Sequence, residues 1–266
     1  MNQTNVTRLT MRALAVCLFL PVASAQVTLG TAQNFTVLGG STVTNTGTSV
    51  INGNIGVSPG SSITGFPPGV VLGSIHAADA VAAQAQSDLT AAYNAAAGTP
   101  CTADLTGQDL GGMTLTPGVY CFSTSAQLTG TLTLNFQGNV NALFIFKTGS
   151  TLTTASGSSV LLTNTGGATC APNLFWQIGS SATLGTGTTF AGNILALTSI
   201  TLNTGSGLSG RTLARNGAVT LDTNNLTACA AIGQATGVPA LDYAGLAILM
   251  VVLAATGLFV VKRFAA

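Results

Sequence analysis

Charged side chains are scarce in this 266-residue sequence: they make up 5% of the residues, and glutamate is missing altogether. Residues 26–239 contain three basic and five acidic residues, a net charge of −2. Nucleic-acid-binding proteins need a basic stripe to neutralise phosphates, so this composition excludes that class. Polysaccharide lyases and hydrolases need converging carboxylates, basic groups or a calcium site, and scattered aspartates without glutamate argue against an enzyme.

Histidine and aromatic residues are also few, with one His, one Trp and 6% aromatic residues in total. We expect no cofactor and no metal site, because there is no C-x-x-C pair and His76 lies far in sequence from the cysteines. An adhesin that binds glycans or neighbouring cells should offer aromatic platforms. Trp176, Tyr93 and Tyr120 are more simply explained by core or helix packing. Such an adhesin, with the β-structure as a scaffold, remains the alternative hypothesis.

The N-terminal residues 1–25 have the features of a secretory signal peptide. Arg8 and Arg12 precede an apolar run at residues 13–20, and Ala23-Ser24-Ala25 fits a small-x-small cleavage site. The sequence therefore predicts an exported protein whose mature chain begins near Gln26.

The C-terminal residues follow a second addressing pattern. A small-residue linker at 231–242 precedes an uncharged apolar stretch at 243–261, which is long enough to span a bilayer. The basic residues within 262–266 predict a cytoplasmic end. The Pro-containing motif, apolar stretch and basic end together resemble exosortase-type sorting signals, which implies a sorting protease as a partner. A plain membrane anchor at the cell surface is the competing interpretation.

Five cysteines become four once Cys17 is removed with the signal peptide. An even number in an exported chain favours disulfides, and four cysteines allow three pairings. We favour Cys101–Cys121 and Cys170–Cys229, because each bond would close a local or domain-end loop.

Apolar residues recur with a period near 18 residues in the second half of the chain. One column is Leu184, Leu202 and Leu221; a second is Phe190, Leu208 and Leu226. A period this short, in β-prone segments separated by turns, is typical of a solenoid in which each coil contains three short strands. Residues 27–71 carry a similar pattern and should supply one or two further coils. We expect these N-terminal coils to interleave in space with the C-terminal coils.

One long helix is predicted at residues 75–97, with Ser74 as N-cap and Gly98 at its end. Its small-residue stripe suits packing along the solenoid. Residues 142–146 and 194–197 are apolar on both faces, so we expect the helix to cover them as neighbouring strands.

Threonines alternate with the inward leucines and should form ladders on the outer surface. Thr183, Thr201 and Thr220 form one predicted ladder, which Thr151 should extend beside Thr183. A second ladder should contain Thr186, Thr204 and Thr223, with Thr154 beside Thr186. Such a face is flat, rich in hydroxyl and methyl groups, and uncharged except for Asp222.

Several stretches, at residues 29–35, 115–120, 175–185, 192–196 and 216–222, resemble the β-solenoid ice-binding proteins of bacteria, fungi and microalgae. The resemblance covers nearly all of residues 26–230. It implies an all-β solenoid with one long α-helix, a discontinuous right-handed parallel β-helix of triangular cross-section, and binding to an ice crystal surface through one flat face. We expect the domain to be a monomer.

The same resemblance implies the site. Bacterial members carry T-G/A-x-T/N motifs, which residues 186–189 and 148–151 match; residues 46–49 nearly match, and residues 204–207 depart at their last position. The candidate ice-binding residues are Thr46, Thr151, Thr154, Thr183, Thr186, Thr189, Thr201, Thr204, Thr220 and Thr223.

Overall fold

The computed structural model describes residues 27–229. The predicted signal peptide at 1–25, the linker at 231–242, the apolar stretch at 243–261 and the basic end at 262–266 lie outside the described residues. Among residues 27–229, no helix has the length and apolar character needed to cross a membrane.

Short parallel strands form two blocks, one before and one after the helix α1 (Ala80–Gly98) in the sequence. A 3₁₀ turn at Gly30–Asn34 opens the N-terminal block. The strands of that block are β1 (Phe35–Gly39), β2 (Thr42–Thr46), β3 (Val50–Asn52), β4 (Asn54–Val57), β5 (Ser62–Thr64), β6 (Val70–Val71) and β7 (Ile75–Ala77).

The C-terminal block holds the remaining strands. They are β8 (Ala103–Asp104), β9 (Thr114–Leu115), β10 (Gly118–Phe122), β11 (Ala126–Leu128), β12 (Thr131–Asn135), β13 (Phe144–Thr148), β14 (Leu152–Thr154), β15 (Ser159–Thr163), β16 (Leu174–Ile178), β17 (Ala182–Leu184), β18 (Thr189–Ala196), β19 (Ile200–Leu202), β20 (Gly207–Ala214), β21 (Val219–Asp222) and β22 (Asn225–Thr227).

These strands stack into a solenoid with three faces. The threonine face consists of β11, β14, β17, β19, β21, β2 and β5 in that order. The helix face consists of β8, β10, β13, β16, the second half of β18, the second half of β20, β1, β4 and β7. The third face consists of β9, β12, β15, the first halves of β18 and β20, β22, β3 and β6. The β-solenoid fold class is therefore confirmed.

Glycine makes the corner between the third face and the helix face. β18 and β20 bend at Gly192 and Gly210, whose φ angles of 103° and 154° place both residues in backbone conformations that favour glycine. A Cβ atom on Gly210 would lie 1.9 Å from the carbonyl oxygen of Gly192. Each of these strands can therefore turn the corner only because both positions lack a side chain.

The two blocks adjoin at one junction rather than alternating through the stack. β1 pairs with β20, β2 with β21 and β3 with β22, all in parallel. The expectation that N-terminal and C-terminal coils interleave is wrong: each block stacks as a unit, and the two ends of the described part of the chain meet where the blocks join. Parallel stacking needs only matching coils, so the order of the coils need not follow the order of the sequence.

A column of stacked aromatic rings fills the middle of the solenoid. Successive ring centroids are 5.3 Å apart between Tyr120 and Phe146, 4.1 Å between Phe146 and Trp176, and 4.8 Å between Trp176 and Phe190. The indole of Trp176 is fully buried and donates a hydrogen bond to the carbonyl oxygen of Ala191 at 2.9 Å. The predicted core role of Trp176 and Tyr120 is confirmed.

The helix begins five residues later than predicted. Asp79, not Ser74, is the N-cap, and its carboxylate accepts a hydrogen bond from the amide of Ala82 at 2.8 Å. Ile75 belongs instead to β7, which pairs with β4, and it is 51% exposed. The competing strand pairing removes the first turn of the predicted helix, whereas the predicted end at Gly98 is confirmed.

The buried side of α1 packs on the helix face in a second core. Six helix residues contribute to this side: Ala82, Ala85, Leu89, Ala92, Tyr93 and Ala96. Ile145 and Leu195 belong to the same cluster, so the prediction that the helix covers their strands is confirmed. Those two strands are not neighbours, however, because β16 lies between them and pairs with both.

The disulfide between Cys101 and Cys121 is confirmed, with a Cα–Cα distance of 5.9 Å, and it ties the start of the C-terminal block to β10. The predicted bond between Cys170 and Cys229 is wrong, because both residues are free thiols. Burial and a hydrogen bond with the Cys229 side chain raise the pKa of Cys170 to about 12, so its thiol is protonated at neutral pH.

Candidate functional site

A single column of side chains runs along the middle of the threonine face. Thr183, Thr201 and Thr220 are register partners in adjacent strands, as predicted. The column continues in both directions beyond these three. From one end to the other it contains Gln127, Thr153, Thr183, Thr201, Thr220, Thr44 and Thr64.

Every member of this column points outward. Gln127, Thr153, Thr220 and Thr64 are exposed, and the other three are partly exposed. Neighbouring strands in a sheet lie about 4.7–4.9 Å apart, so the backbone fixes the spacing between successive hydroxyl and methyl groups. One pair of hydroxyls, those of Thr44 and Thr220, is 3.4 Å apart.

Three threonines of the column, Thr44, Thr64 and Thr153, were missed at the sequence level, as was Gln127 at its end. The strand alternation contained the signal, because each of the three threonines follows an apolar residue that points inward: Val43, Ile63 or Leu152. The sequence could not show which residues pair between neighbouring coils, because the coils differ in length.

Thr154 is not part of the outer surface, which corrects the prediction for this residue. Leu152 pairs with Ala182, so Thr153 rather than Thr151 lies beside Thr183. Thr154 consequently points inward and is 3% exposed. Its hydroxyl lies 2.8 Å from that of Thr188 and accepts a hydrogen bond from the amide of Gly185 at 2.8 Å.

Thr151 lies in a second outward column that flanks the central one. In each coil, this second column contains the outward residue that precedes the member of the central column. Its hydroxyl donates a hydrogen bond to Ser125 Oγ at 2.9 Å. The corresponding residues in the other strands are small, as the backbone contacts and the pairing show: Ser181, Ser199, Ala218, Thr42 and Ser62. Thr151 therefore shares the face with the central column but is not in that column.

The second predicted ladder has another wrong member besides Thr154, namely Thr223. Thr186 and Thr204 are exposed at the corner where the threonine face meets the third face. The next position is held by Asp222, which accepts a hydrogen bond from Thr204 and pairs with the exposed Thr46. Thr223 adopts a φ of 53°, the conformation that Gly187 and Gly205 adopt in the preceding coils, so it occupies the turn instead.

Thr189 belongs to a different surface. It pairs with Ser159 and Gly207 on the third face, around the corner from Thr186. The motif matches also separate: residues 186–189 lie at the corner with the third face, whereas residues 148–151 lie between β13 and β14, at the corner with the helix face. The motif therefore does not define one contiguous surface in this chain.

Buried polar groups brace the corner beside the threonine face. Asn224 donates from Nδ2 to the carbonyl oxygens of Asn203 and Ser206, each at 3.0 Å. Ser158 donates from its hydroxyl to the carbonyl oxygen of Leu128 at 2.9 Å. Satisfied buried hydrogen bonds of this kind fix the turns and give the outer columns a rigid support.

Both outward columns of the threonine face consist only of uncharged side chains. Asp222 borders the face at the corner, and Asp109 pairs with Gln127 at one end. Within residues 27–229 the three basic side chains lie elsewhere. Lys147 donates to the carbonyl oxygen of Thr99 at 2.7 Å, the Arg215 guanidinium lies 4.7 Å from the Tyr93 ring centroid, and Arg211 donates to the carbonyl oxygen of Gln33. The hydration of this face is therefore set by hydroxyl and methyl groups.

A stack of three-sided parallel coils with a helix packed along one side defines a discontinuous β-helix. A family model described as ice-binding-like matches residues 37–227. The chain belongs to this ice-binding-like family.

Individual relatives agree with that assignment. An ice-binding protein of Nostoc sp. (strain HG1) is 66% identical over 200 residues, which cover 75% of this chain and 73% of the relative. The crystal structure of an ice-binding protein from the Antarctic ascomycete Antarctomyces psychrotrophicus has a TM-score of 0.74 and 40% identity, covering 77% of this chain and 100% of that chain. The crystal structure of an ice binding protein from an Antarctic Biological Consortium has a TM-score of 0.72 and 44% identity, covering 84% and 95%.

Proposed function

We propose that this chain binds ice through the threonine face. The observation that carries the proposal is the unbroken column of six outward threonines in six adjacent strands, from Thr153 to Thr64. Relatives named as ice-binding proteins support the same function for this chain.

The chemistry of threonine explains how such a face meets ice. Methyl groups hold surface water weakly, while hydroxyl groups fix the remaining water molecules at positions set by the strand spacing. A water layer ordered in this way can merge with a crystal plane. Each contact is weak, but a rigid array loses little conformational entropy when it docks, so many contacts act together.

The surrounding chemistry favours this mechanism over the adhesin alternative. Charged groups would order water in a competing arrangement, and both outward columns lack them. Trp176, Tyr93 and Tyr120 are buried, so these three residues offer no aromatic platform for glycans.

The setting of this activity is outside the cell. The signal peptide predicted at residues 1–25 supports export, and the apolar stretch at 243–261 supports an attachment to the cell surface. The domain then acts as a monomer that either shapes extracellular ice or holds the cell to it.

Ice recrystallisation tests the proposal with purified residues 26–239. The whole solved chain from the ascomycete corresponds to 77% of this chain, which supports an independently folding domain. We expect the domain to slow grain growth in a frozen solution at micromolar concentration, and its fluorescently labelled form to coat defined planes of a growing ice hemisphere. Unchanged grain growth together with an unlabelled hemisphere would refute the proposal.

A further inference from the structure

The two ends of the described chain meet at one buried arginine. Arg211 donates from Nε to the carbonyl oxygen of Gln33 at 2.9 Å and from Nη2 to the carbonyl oxygen of Cys229 at 2.7 Å. A third hydrogen bond, from Nη1 to Asn193 Oδ1 at 3.0 Å, fixes the guanidinium itself. Residues close to the start and the end of the fold are thereby tied to the same side chain.

This arginine is held firmly in place. Arg211 is 4% exposed, and its three acceptors are neutral oxygen atoms. Burial lowers the pKa of its guanidinium. A buried guanidinium without hydrogen-bond acceptors would strongly destabilise the fold, so each of its three acceptors is held in place. The position of the Cys229 carbonyl oxygen is fixed in this way.

The meeting point lies opposite the threonine face. Arg211 directly follows Gly210, where β20 bends from the third face to the helix face. In a three-sided coil, the corner between two faces lies farthest from the third side. The corner between the third face and the helix face is therefore the one farthest from the threonine face.

The next position along the solenoid is already occupied. After β22, continued coiling would bring the chain around this corner into a strand of the helix face. β1, which starts at Phe35, occupies that place and pairs with β20 and β4 on its two sides. The stack therefore offers no open strand position on the helix face next to Cys229.

We propose that the segment after Cys229 leaves the domain at the corner opposite the threonine face, so that a domain tethered through its C-terminal end presents this face outward, free to contact ice. The inference rests on the proposed ice-binding function. It makes attachment to a cell surface compatible with ice binding without any conformational change.

Attachment of the purified domain to beads tests this geometry. Residues 26–239 are coupled to streptavidin-coated beads through a biotin at one of three places. The first follows Pro239. The second and third use p-azidophenylalanine, at the exposed helix residue Ser87 (Ser87→p-azidophenylalanine) and at the end of the threonine column (Gln127→p-azidophenylalanine). Each labelled protein is also assayed free in solution for recrystallisation inhibition.

We expect beads coupled after Pro239 or through Ser87 to adsorb to ice equally, and beads coupled through Gln127 to adsorb about tenfold less. The free proteins labelled after Pro239 and at Ser87 should inhibit recrystallisation as the unlabelled domain does, whereas the label at Gln127 lies on the threonine face and should itself weaken inhibition. Inactivity of the free Pro239-labelled and Ser87-labelled proteins would refute the proposed function itself. Activity of these two free proteins, with Pro239-coupled beads that adsorb no better than the Gln127-coupled beads, would overturn the exit geometry alone.

Discussion

Thr153 and Thr183 are register partners on the threonine face, while Thr154, one residue further along, is buried against Thr188. Two adjacent threonines in the same strand thus belong to different environments. One adds a hydroxyl and a methyl group to the outer column, and the other supports the turn from inside.

This pair provides the sharpest test of the register. Thr153→Tyr should raise the concentration needed to inhibit recrystallisation by about tenfold, because the ring would hold the crystal away from the neighbouring threonines, while unfolding changes by about 0.5 kcal/mol or less. Thr154→Val should lower stability and leave recrystallisation inhibition unchanged. It leaves the Gly185 amide without its acceptor, which costs about 1–3 kcal/mol of stability without loss of ice activity. Thermal unfolding and grain growth measured on both variants check the result; reversed effects would show that the register is wrong.

A second prediction distinguishes the faces of the solenoid. Thr201→Tyr, in the middle of the column, should weaken recrystallisation inhibition by at least about tenfold with nearly unchanged thermal unfolding. Thr227→Tyr is the matched control, because Thr227 is an exposed outward residue of the third face. Its activity should equal that of the unmodified domain. Equal activity of both variants would place the ice contact elsewhere.

The disulfide should stabilise the domain without taking part in ice binding. Cys101 and Cys121 are 20 residues apart, and closing a loop of that length contributes about 3 kcal/mol in the chain-entropy treatment. A variant with Cys101→Ser and Cys121→Ser should therefore unfold at lower denaturant concentration. Its recrystallisation inhibition, measured well below the new melting temperature, should remain. Loss of activity in the folded variant would contradict this separation.

Stability should fall in acid through Asp88, which joins the helix to the N-terminal turn. Hydrogen bonds from the Thr31 hydroxyl and amide, both 2.7 Å, lower the pKa of this carboxyl below its ordinary value of 3.8. Because the pKa of Asp88 is lower in the folded than in the unfolded state, its stabilisation of the fold is complete above about pH 4. This stabilisation is lost as the pH falls through the folded-state pKa.

The matched variant for this effect is Asp88→Asn. At pH 7 its free energy of unfolding should be about 0.5–1 kcal/mol lower than that of the unmodified domain. The value is small because solvent screens a partly exposed carboxylate. Denaturant unfolding at pH 7 and pH 2.5 measures the difference, which should shrink at the lower pH. A difference that is the same at both values would exclude the carboxylate as its source.

Sequence periodicity was sufficient for the type of fold and for the centre of the site. Leu184, Leu202 and Leu221 recur because each coil must bury one apolar side chain at the same place. The threonines beside them must then point outward, since side chains alternate along a strand. Those relationships are local and regular, so spacing alone reveals them.

Positions with irregular spacing were beyond such reasoning. The step from Leu152 to Ala182 is 30 residues, because the loop before β16 lengthens that coil. Asp222 holds the ladder position that was expected for Thr223, because a one-residue difference in the turn changes which residue adopts a positive φ.

The sequence by itself determined that this chain forms short stacked coils with an apolar interior and a threonine-rich exterior, because both follow from side-chain alternation repeated at a constant period. Only the tertiary structure decided which coils are neighbours, that β1 follows β22 in the stack, and that Thr44 and Thr64 complete the column begun by Thr153. Parallel coils can stack in any order that satisfies their backbone hydrogen bonds and matches their interiors. The order is therefore set by packing between segments more than 100 residues apart in the chain, such as Thr44 and Thr220.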